Sequence, residues 1–581
     1  MQLARKFRIP ALFCALAVLL CELVSRPYAN MGISDDGPYI LMAQTLASTG
    51  HIVYNGWAAA MIGWQLYIGA AFIKLFGFSF TIVRMSTLFV ALVTAFLLQR
   101  TLVRSGITER NAVVATLALA LSPLYLLLSV TYMSDIFGLF AMLICLYGCL
   151  RALQSATPNA TIFWLCFAVA TNAVFGTARQ IAWLGVLVMV PSTLWLLRSQ
   201  RRVLIAGSVA TLAGALSIYA CMQWLNRQPY VLPPQPLPHT FSYIASFLEL
   251  TYFLLAIPFL LLPIVAIFLP SLRKSRPAVI GLLTLIVLGY LFLGIYPSHL
   301  RGRFPLEPTL GSGGNWIGVH GIHEGHQLHG DPPLFLNIPA QALITLVCFG
   351  GLLAIAVSLL HFCRLRPHHP SASAPSTQDV SWKQLGALLA PFALAYIVLL
   401  IPRTATGWIY DRYTLELGVV ALICLVRYYQ EQIQPRIPVL GIALVATMAI
   451  IGIAITHNHF SLYRARIALA DELHASGIPD TSVDNGFEQN FIVELQHADH
   501  INDKTIVFPS TAYIPTPPLP ATTCSMFWHD KTPHINPIYG VSFDPNACYG
   551  PAPFAPVHYS RWPFRTSGAI YIVRYTPTSL P

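Results

Sequence analysis

Charge is scarce in this chain. Asp, Glu, Lys and Arg make up 10% of its 581 residues, hydrophobic residues make up 56%, and the mean hydropathy is +0.63. A soluble fold of this length could not hide so much apolar surface, and the apolar residues fall in runs of about 18 to 25, long enough to cross a bilayer. The formal charge is +11, but no basic face gathers it: lysines and arginines stand in small groups between apolar runs, which removes the nucleic-acid reading. No internal repeat is present, which argues against an inverted-repeat transporter. No small-x-small cleavage site follows Arg5-Lys6-Phe7-Arg8 and the apolar run to about Val24, so this run is expected to stay as a first span, with a signal peptide as the alternative. Polar segments contain only two cysteines, Cys524 and Cys548; the others lie in apolar runs or, for Cys363, at the end of one, where cysteines behave as small buried hydrophobes.

What is present is a helical, polytopic membrane pattern. Apolar runs bounded by charge, Pro or Gly predict about thirteen transmembrane helices, near 9–25, 80–99, 111–128, 134–150, 161–177, 181–197, 203–224, 244–269, 278–296, 336–361, 384–401, 413–427 and 437–456. If these spans alternate, the groups Arg5/Lys6/Arg8, Arg100/Arg104/Arg110, Arg198/Arg201/Arg202, Arg273/Lys274/Arg276 and Arg427/Arg436 share one side. That side is the cytoplasm by the positive-inside rule, which places the N-terminus there in a bacterial inner membrane. Asp35, Asp36, Glu307, Glu324, Asp331 and Asp411 then fall on the opposite, periplasmic side.

Residues 1–456 thus read as a membrane domain and 457–581 as a periplasmic C-terminal domain. Within the first, 26–79 and 297–335 are long periplasmic loops, and Trp57 to Phe76 reads as short interfacial helices. The tail begins with a helical pattern, Phe460 to Ala475, and continues with strand-like runs at Thr505 to Phe508 and Ala569 to Tyr575, the pattern of a small α/β domain. In an oxidising compartment Cys524 and Cys548 are expected to pair as a disulfide.

Two adjacent carboxylates, Asp35 and Asp36, follow the first span, where so sparsely charged a chain is expected to keep them for chemistry. Neighbouring residues point in different directions, so the pair is not a symmetric dyad, and one of them has helix capping as its plain alternative. Asp135 enters the fourth span at the same membrane level. Arg84, Arg179, Arg301, Arg303, Arg403 and Arg412 stand at the same face, which the positive-inside rule does not explain. A ring of guanidiniums suits a phosphate, since Arg holds phosphate oxygens in bidentate fashion; ion pairing with the same carboxylates is the alternative. His320, His323, His326 and His329 recur every third residue, but no Cys or carboxylate cluster completes a recognisable zinc spacing, so no metal ligand set is assigned.

The order SDDGPYILMAQTLASTG, QLYIGAAFIKLFGFSFTIVRMSTL, SPLYLLLSVTYMSDIFGLF, TARQ and IYDRYTLEL resembles bacterial members of glycosyltransferase family 39, related to protein O-mannosyltransferases and the lipid A aminoarabinose transferase. The tail's VDNGFEQN is similar to a Gly-Phe-Glu motif of some relatives. The resemblance implies a GT-C membrane fold that transfers a sugar from a polyprenyl-phosphate donor to a lipid, glycan or protein acceptor. By the same resemblance Asp35, Asp36 and Asp135 are the catalytic carboxylates, and Arg84, Arg179 and Arg412 bind the donor phosphate; no cofactor is certain, and a divalent metal is possible. One departure is that Met61-Ile62-Gly63-Trp64 replaces the family's Pro-Leu signature before span two. The rival reading from another class is a multi-pass transporter or lipid-linked sugar flippase.

Overall fold

The computed structural model describes residues 9–58, 60–233, 242–274, 328–364, 380–404, 409–564 and 566–577, with short pieces between 281 and 322. Arg301, Arg303, Glu307, Glu324, His320, His323, His326 and the span predicted at 278–296 lie outside these residues, apart from fragments at 281 and 284–285.

The helices run α1 (Ile9–Ser25), α2 (Asp36–Thr49), α3 (Gly63–Phe76), α4 (Phe80–Arg104), α5 (Glu109–Ala120), α6 (Pro123–Ser129), α7 (Ser134–Leu153), α8 (Pro158–Phe175), α9 (Val190–Leu196), α10 (Arg201–Leu225), α11 (Tyr243–Leu260), α12 (Leu262–Ala266), α13 (Ile338–Arg364), α14 (Trp382–Thr404), α15 (Leu415–Gln432), α16 (Val439–Ala475) and α17 (Gly486–Ala498). Among the described residues six helices are long and apolar enough to cross a membrane, or seven if the bent pair α5–α6 counts as one. The chain is a multi-pass membrane protein. Helix α7 is the centre of the bundle, with 78% of its apolar window buried, whereas α10 has 22% buried and turns most of its apolar surface outward.

Several predicted runs are not single straight helices. The run at 111–128 bends by 70° between α5 and α6, where Pro123 cannot continue the preceding turn and the Ser122 hydroxyl accepts from Tyr125 N at 3.3 Å to start a new helix. The run at 181–197 opens in two tight turns, Gly176–Ala178 and Gln180–Trp183, then widens into a π-turn at Gly185–Met189 before α9. Asn172 makes this break possible: its Nδ2 donates to Ala141 O and Ala182 O, at 2.9 and 3.0 Å, and its Oδ1 accepts from Val186 N at 3.0 Å. Irregular backbone at membrane depth persists where protein groups satisfy it in this way.

The boundary expected at 456/457 falls inside a helix. No Gly or Pro interrupts the chain between the last span and the tail's helical pattern, so α16 runs through both for 37 residues. At 1.5 Å per residue that is about 55 Å, well beyond a hydrocarbon core of about 30 Å. Leu462, Leu469 and Leu473 of its far end form a second apolar core with Val541, Tyr559, Ile570 and Ile572. These last come from a four-stranded sheet of β1 (Val483–Asp484), β2 (Tyr539–Ser542), β3 (Val557–Arg561) and β4 (Thr566–Arg574), in the order β1-β2-β4-β3, parallel only between β1 and β2. The strand expected at Thr505 to Phe508 is instead a turn.

Candidate active site

Asp35 and Asp36 sit side by side at the start of α2 and live in different surroundings. Asp36 is fully buried, and its Oδ1 accepts from Ile33 N at 2.7 Å and Arg84 Nη2 at 2.9 Å. Its Oδ2 accepts from Arg84 Nε at 2.7 Å and Tyr132 N at 3.1 Å. The Arg84 guanidinium also donates to Ala29 O and Met31 O, and it too is fully buried. One carboxylate and one guanidinium thus bolt together the loop after α1, the start of α2, the first turns of α4 and the turn before α7. Arg84, expected at the donor phosphate, is thus held by Asp36 and by two backbone carbonyls.

Asp35 occupies the N-cap position of α2, yet its side chain accepts no bond from the helix, so capping does not explain it. Ser34 before it has φ of 51°, a left-handed backbone conformation at the entry to α2. A quarter of the Asp35 side chain is exposed, and its Oδ2 lies 3.7 Å from Arg412 Nη2. Burial raises its carboxyl above the ordinary carboxylate range, Arg412 counteracts this, and the negative charges of Asp135 and Asp36 push it further up.

Arg412 is a bridge: its Nη1 lies 3.3 Å from Asp135 Oδ2. Asp135, buried in the first turn of α7, pairs through Oδ1 with Arg179 Nη1. Arg179 stands in extended backbone between the two tight turns that break the chain before α9, the conformation that aims its side chain at Asp135. Gly138, one turn further along α7, leaves room for it; a Cβ there would lie 2.9 Å from Arg179 Cδ. Tyrosines cover the cations, Arg179 lying 4.7 Å from the Tyr413 ring and Arg412 4.7 Å from that of Tyr410. The result is an alternating row, Asp35–Arg412–Asp135–Arg179, with Asp35 at its solvent-reached end.

Sequence reasoning missed the support behind this row. Glu416 is buried in α15, with its Oε2 3.1 Å from the Tyr396 hydroxyl and its charge acting on Arg179. Its signal was legible: a carboxylate inside an apolar helical run. Glu22, inside the first span, is also buried and accepts from Ser25 Oγ at 3.0 Å and Ser129 Oγ at 3.2 Å. Arg403 lies near the row, its Nη1 3.4 Å from the Tyr413 hydroxyl.

The tail presses on the loop that carries the site. Arg464 donates to Arg26 O and Tyr28 O at 3.2 and 3.0 Å, and His457 Nδ1 lies 3.1 Å from Ser25 O. Gly37 in α2 is closely met by α17, since a Cβ there would lie 3.0 Å from Ile492 Cδ1. The Gly-Phe-Glu motif is part of this clamp. Glu488 is buried against the Tyr463 hydroxyl and Arg466 Nη2, the latter 3.1 Å away, while Phe487 belongs to an apolar cluster against which Leu41 of α2 packs.

Cys524 and Cys548 form a disulfide. With His329 they are the single group of three ligating side chains within metal reach among the described residues, and the disulfide holds both sulfurs. Each carboxylate of the row faces an arginine instead.

No family model matches the sequence, and no curated protein matches it. Among solved structures the chain is similar to ArnT from Cupriavidus metallidurans bound to undecaprenyl phosphate, at 14% identity and TM-score 0.40, over 96% of this chain and 98% of that one. It is also similar to the Archaeoglobus fulgidus oligosaccharyltransferase, at 15% identity and TM-score 0.39, over 76% of this chain and 53% of that one. A third is arabinosyltransferase EmbB from Mycobacterium smegmatis, at 15% identity and TM-score 0.30, over 73% and 41%.

Proposed function

We propose that the chain is an inverting membrane glycosyltransferase of GT-C type, which moves a sugar from a polyprenyl-phosphate donor to an acceptor hydroxyl at the periplasmic face. The observation that carries this reading is the row Asp35–Arg412–Asp135–Arg179, a solvent-reached carboxylate beside two guanidiniums. Asp35 takes the proton from the acceptor hydroxyl as its oxygen forms the new bond to the anomeric carbon. The bond from that carbon to the phosphate oxygen breaks in the same displacement, and its electron pair leaves with the polyprenyl phosphate. A single displacement inverts the anomeric centre.

Arg179 and Arg412 stabilise the charge that grows on the leaving phosphate. Preorganised donors of this kind are typically worth about two to three powers of ten in kcat each. Asp135 lies behind both and fixes their direction, so it is a positioning residue, and Asp36 with Arg84 holds the backbone that presents Asp35. The raised carboxyl of Asp35 suits a base, because a proton acceptor near the working pH is both deprotonated and basic. Proton removal in step with attack contributes about two to four powers of ten.

The broken segment before α9 favours a second reading, because discontinuous helices are also the hallmark of transporters and flippases. Reconstitution in liposomes with a panel of radiolabelled polyprenyl-phosphate sugars and membrane lipid, glycan or peptide acceptors separates the two. A covalent product lost in Asp35→Asn supports the transferase; movement of the donor across the bilayer without product, unchanged in Asp35→Asn, contradicts it.

A further inference from the structure

The turn that replaces the expected strand at Thr505 to Phe508 holds apolar side chains outward. Val507 is 78% exposed, Phe508 57% and Ile514 53%, in an otherwise polar segment. A loose loop would fold such residues inward, but this one is pinned. Asn502 Oδ1 accepts from Ile514 N at 2.7 Å, and its Nδ2 donates to Ile514 O at 2.9 Å. Asp503 Oδ1 accepts from Thr505 N and Oγ1 at 2.8 and 2.6 Å, while Ile506 and Ala512 are buried beneath. The frame therefore displays the apolar tips instead of burying them, and an exposed apolar patch held in place marks an interaction surface.

Its position says what covers it. Phe508 O accepts from Tyr230 N at 2.8 Å, and Tyr230 O accepts from Gly56 N at 3.0 Å, so the turn lies a few residues beyond the end of α10 and is tied to the first long loop. Helix α10 carries a stripe of exposed apolar residues, Ile205, Val209, Leu212, Leu216 and Tyr219, at the spacing of one helical face. In the last turn of the same helix Trp224 is 41% exposed, the kind of residue enriched where a spanning helix leaves the bilayer. The exposed tips are thus tied by backbone to the segment just past the end of this outward apolar helix, and Lys504, exposed beside them, suits the headgroup level.

We propose that the turn 504–514 is a wedge that enters the bilayer interface and fixes the tail to the lipid surface next to the site. Its partner is the lipid leaflet itself. Through the Phe508–Tyr230–Gly56 ladder the lipid surface then bears on the loop that precedes the Trp57 and Gly63–Phe76 segment. This inference needs the chain to be membrane-embedded and does not depend on what reaction it catalyses.

The test uses the full chain in nanodiscs whose phospholipids carry a headgroup-proximal diazirine, with labelled peptides mapped by mass spectrometry and the peptide containing Ile205 to Tyr219 as internal reference. The wedge predicts that the peptide following Lys504 is labelled along with the reference, and that Val507→Asp with Ile514→Asp lowers its labelling by about tenfold. Both side chains are exposed, so the double variant keeps its melting temperature in detergent, and Val507→Leu with Ile514→Leu keeps the labelling. A labelled reference with an unlabelled wedge peptide overturns the proposal. So does capture of that peptide by a second copy of the chain in place of lipid.

Discussion

Two carboxylate–arginine pairs, one residue apart in sequence at their acidic ends, behave as opposites. Asp36 and Arg84 are fully buried, and Asp36 has four hydrogen bonds from three elements of the chain. Asp35 and Arg412 stand 3.7 Å apart with part of the Asp35 side chain open to solvent. A charge with every lone pair occupied can hold a fold but has nothing left to offer a substrate. A charge placed near its partner and not locked to it can accept a proton. The proposed function gives a structural role to one aspartate and a chemical role to its neighbour.

Substitutions at the two positions sharpen this contrast. The largest effect is expected from Asp35→Asn, which lowers kcat by about two to four powers of ten in a reconstituted transfer assay. Its stability moves the other way. A carboxyl whose pKa is raised by folding disfavours the native state once pH rises through that raised value, so near neutrality Asp35→Asn leaves the melting temperature unchanged or higher. Removing one member of the buried pair, as in Arg84→Met, strands a charge and costs about 3–5 kcal/mol, read as a lower melting temperature or denaturant midpoint.

Next comes Arg179→Gln, which lowers kcat by about two to three powers of ten while KM for the donor changes less, because the guanidinium acts mainly on charge that develops in the transition state. Loss of the disulfide, tested by Cys524→Ser with Cys548→Ser, removes a link of sequence separation 24 and about 3 kcal/mol of stability, with Asp35 chemistry intact. The smallest effect is on pH dependence. The acid limb of kcat/KM lies above the usual carboxylate range, activity falling as pH drops through it, and Arg412→Gln moves that limb higher by removing the charge that lowers it.

Much of the site was legible because charge is so scarce. Asp35, Asp135, Arg179 and Arg412 stand out in an apolar sequence, and alternation of spans puts them at one level, where the structure places them in a row. Arg84 was not legible as a partner of Asp36 for a physical reason. A boundary arginine looks the same in sequence whether it faces a cavity or the carbonyls of Ala29 and Met31, and only the path of the loop decides. The break before α9 was hidden because an apolar run has the same composition as an α-helix or a π-turn; the side chain that permits it, Asn172, lies in the preceding helix. The fused helix α16 was divided because hydrophobicity ends at the membrane surface while helical hydrogen bonding does not. The turn at 505–508 has strand-like composition, but Asn502 and Asp503 capture the backbone that a partner strand would need.

The most direct test sets Asp35→Asn beside Asp36→Asn, in the same liposomes, with radiolabelled polyprenyl-phosphate sugar and with melting temperature read in parallel. The account predicts that Asp35→Asn loses transfer and keeps its fold, while Asp36→Asn loses stability. Transfer at the wild-type rate by Asp35→Asn would contradict it.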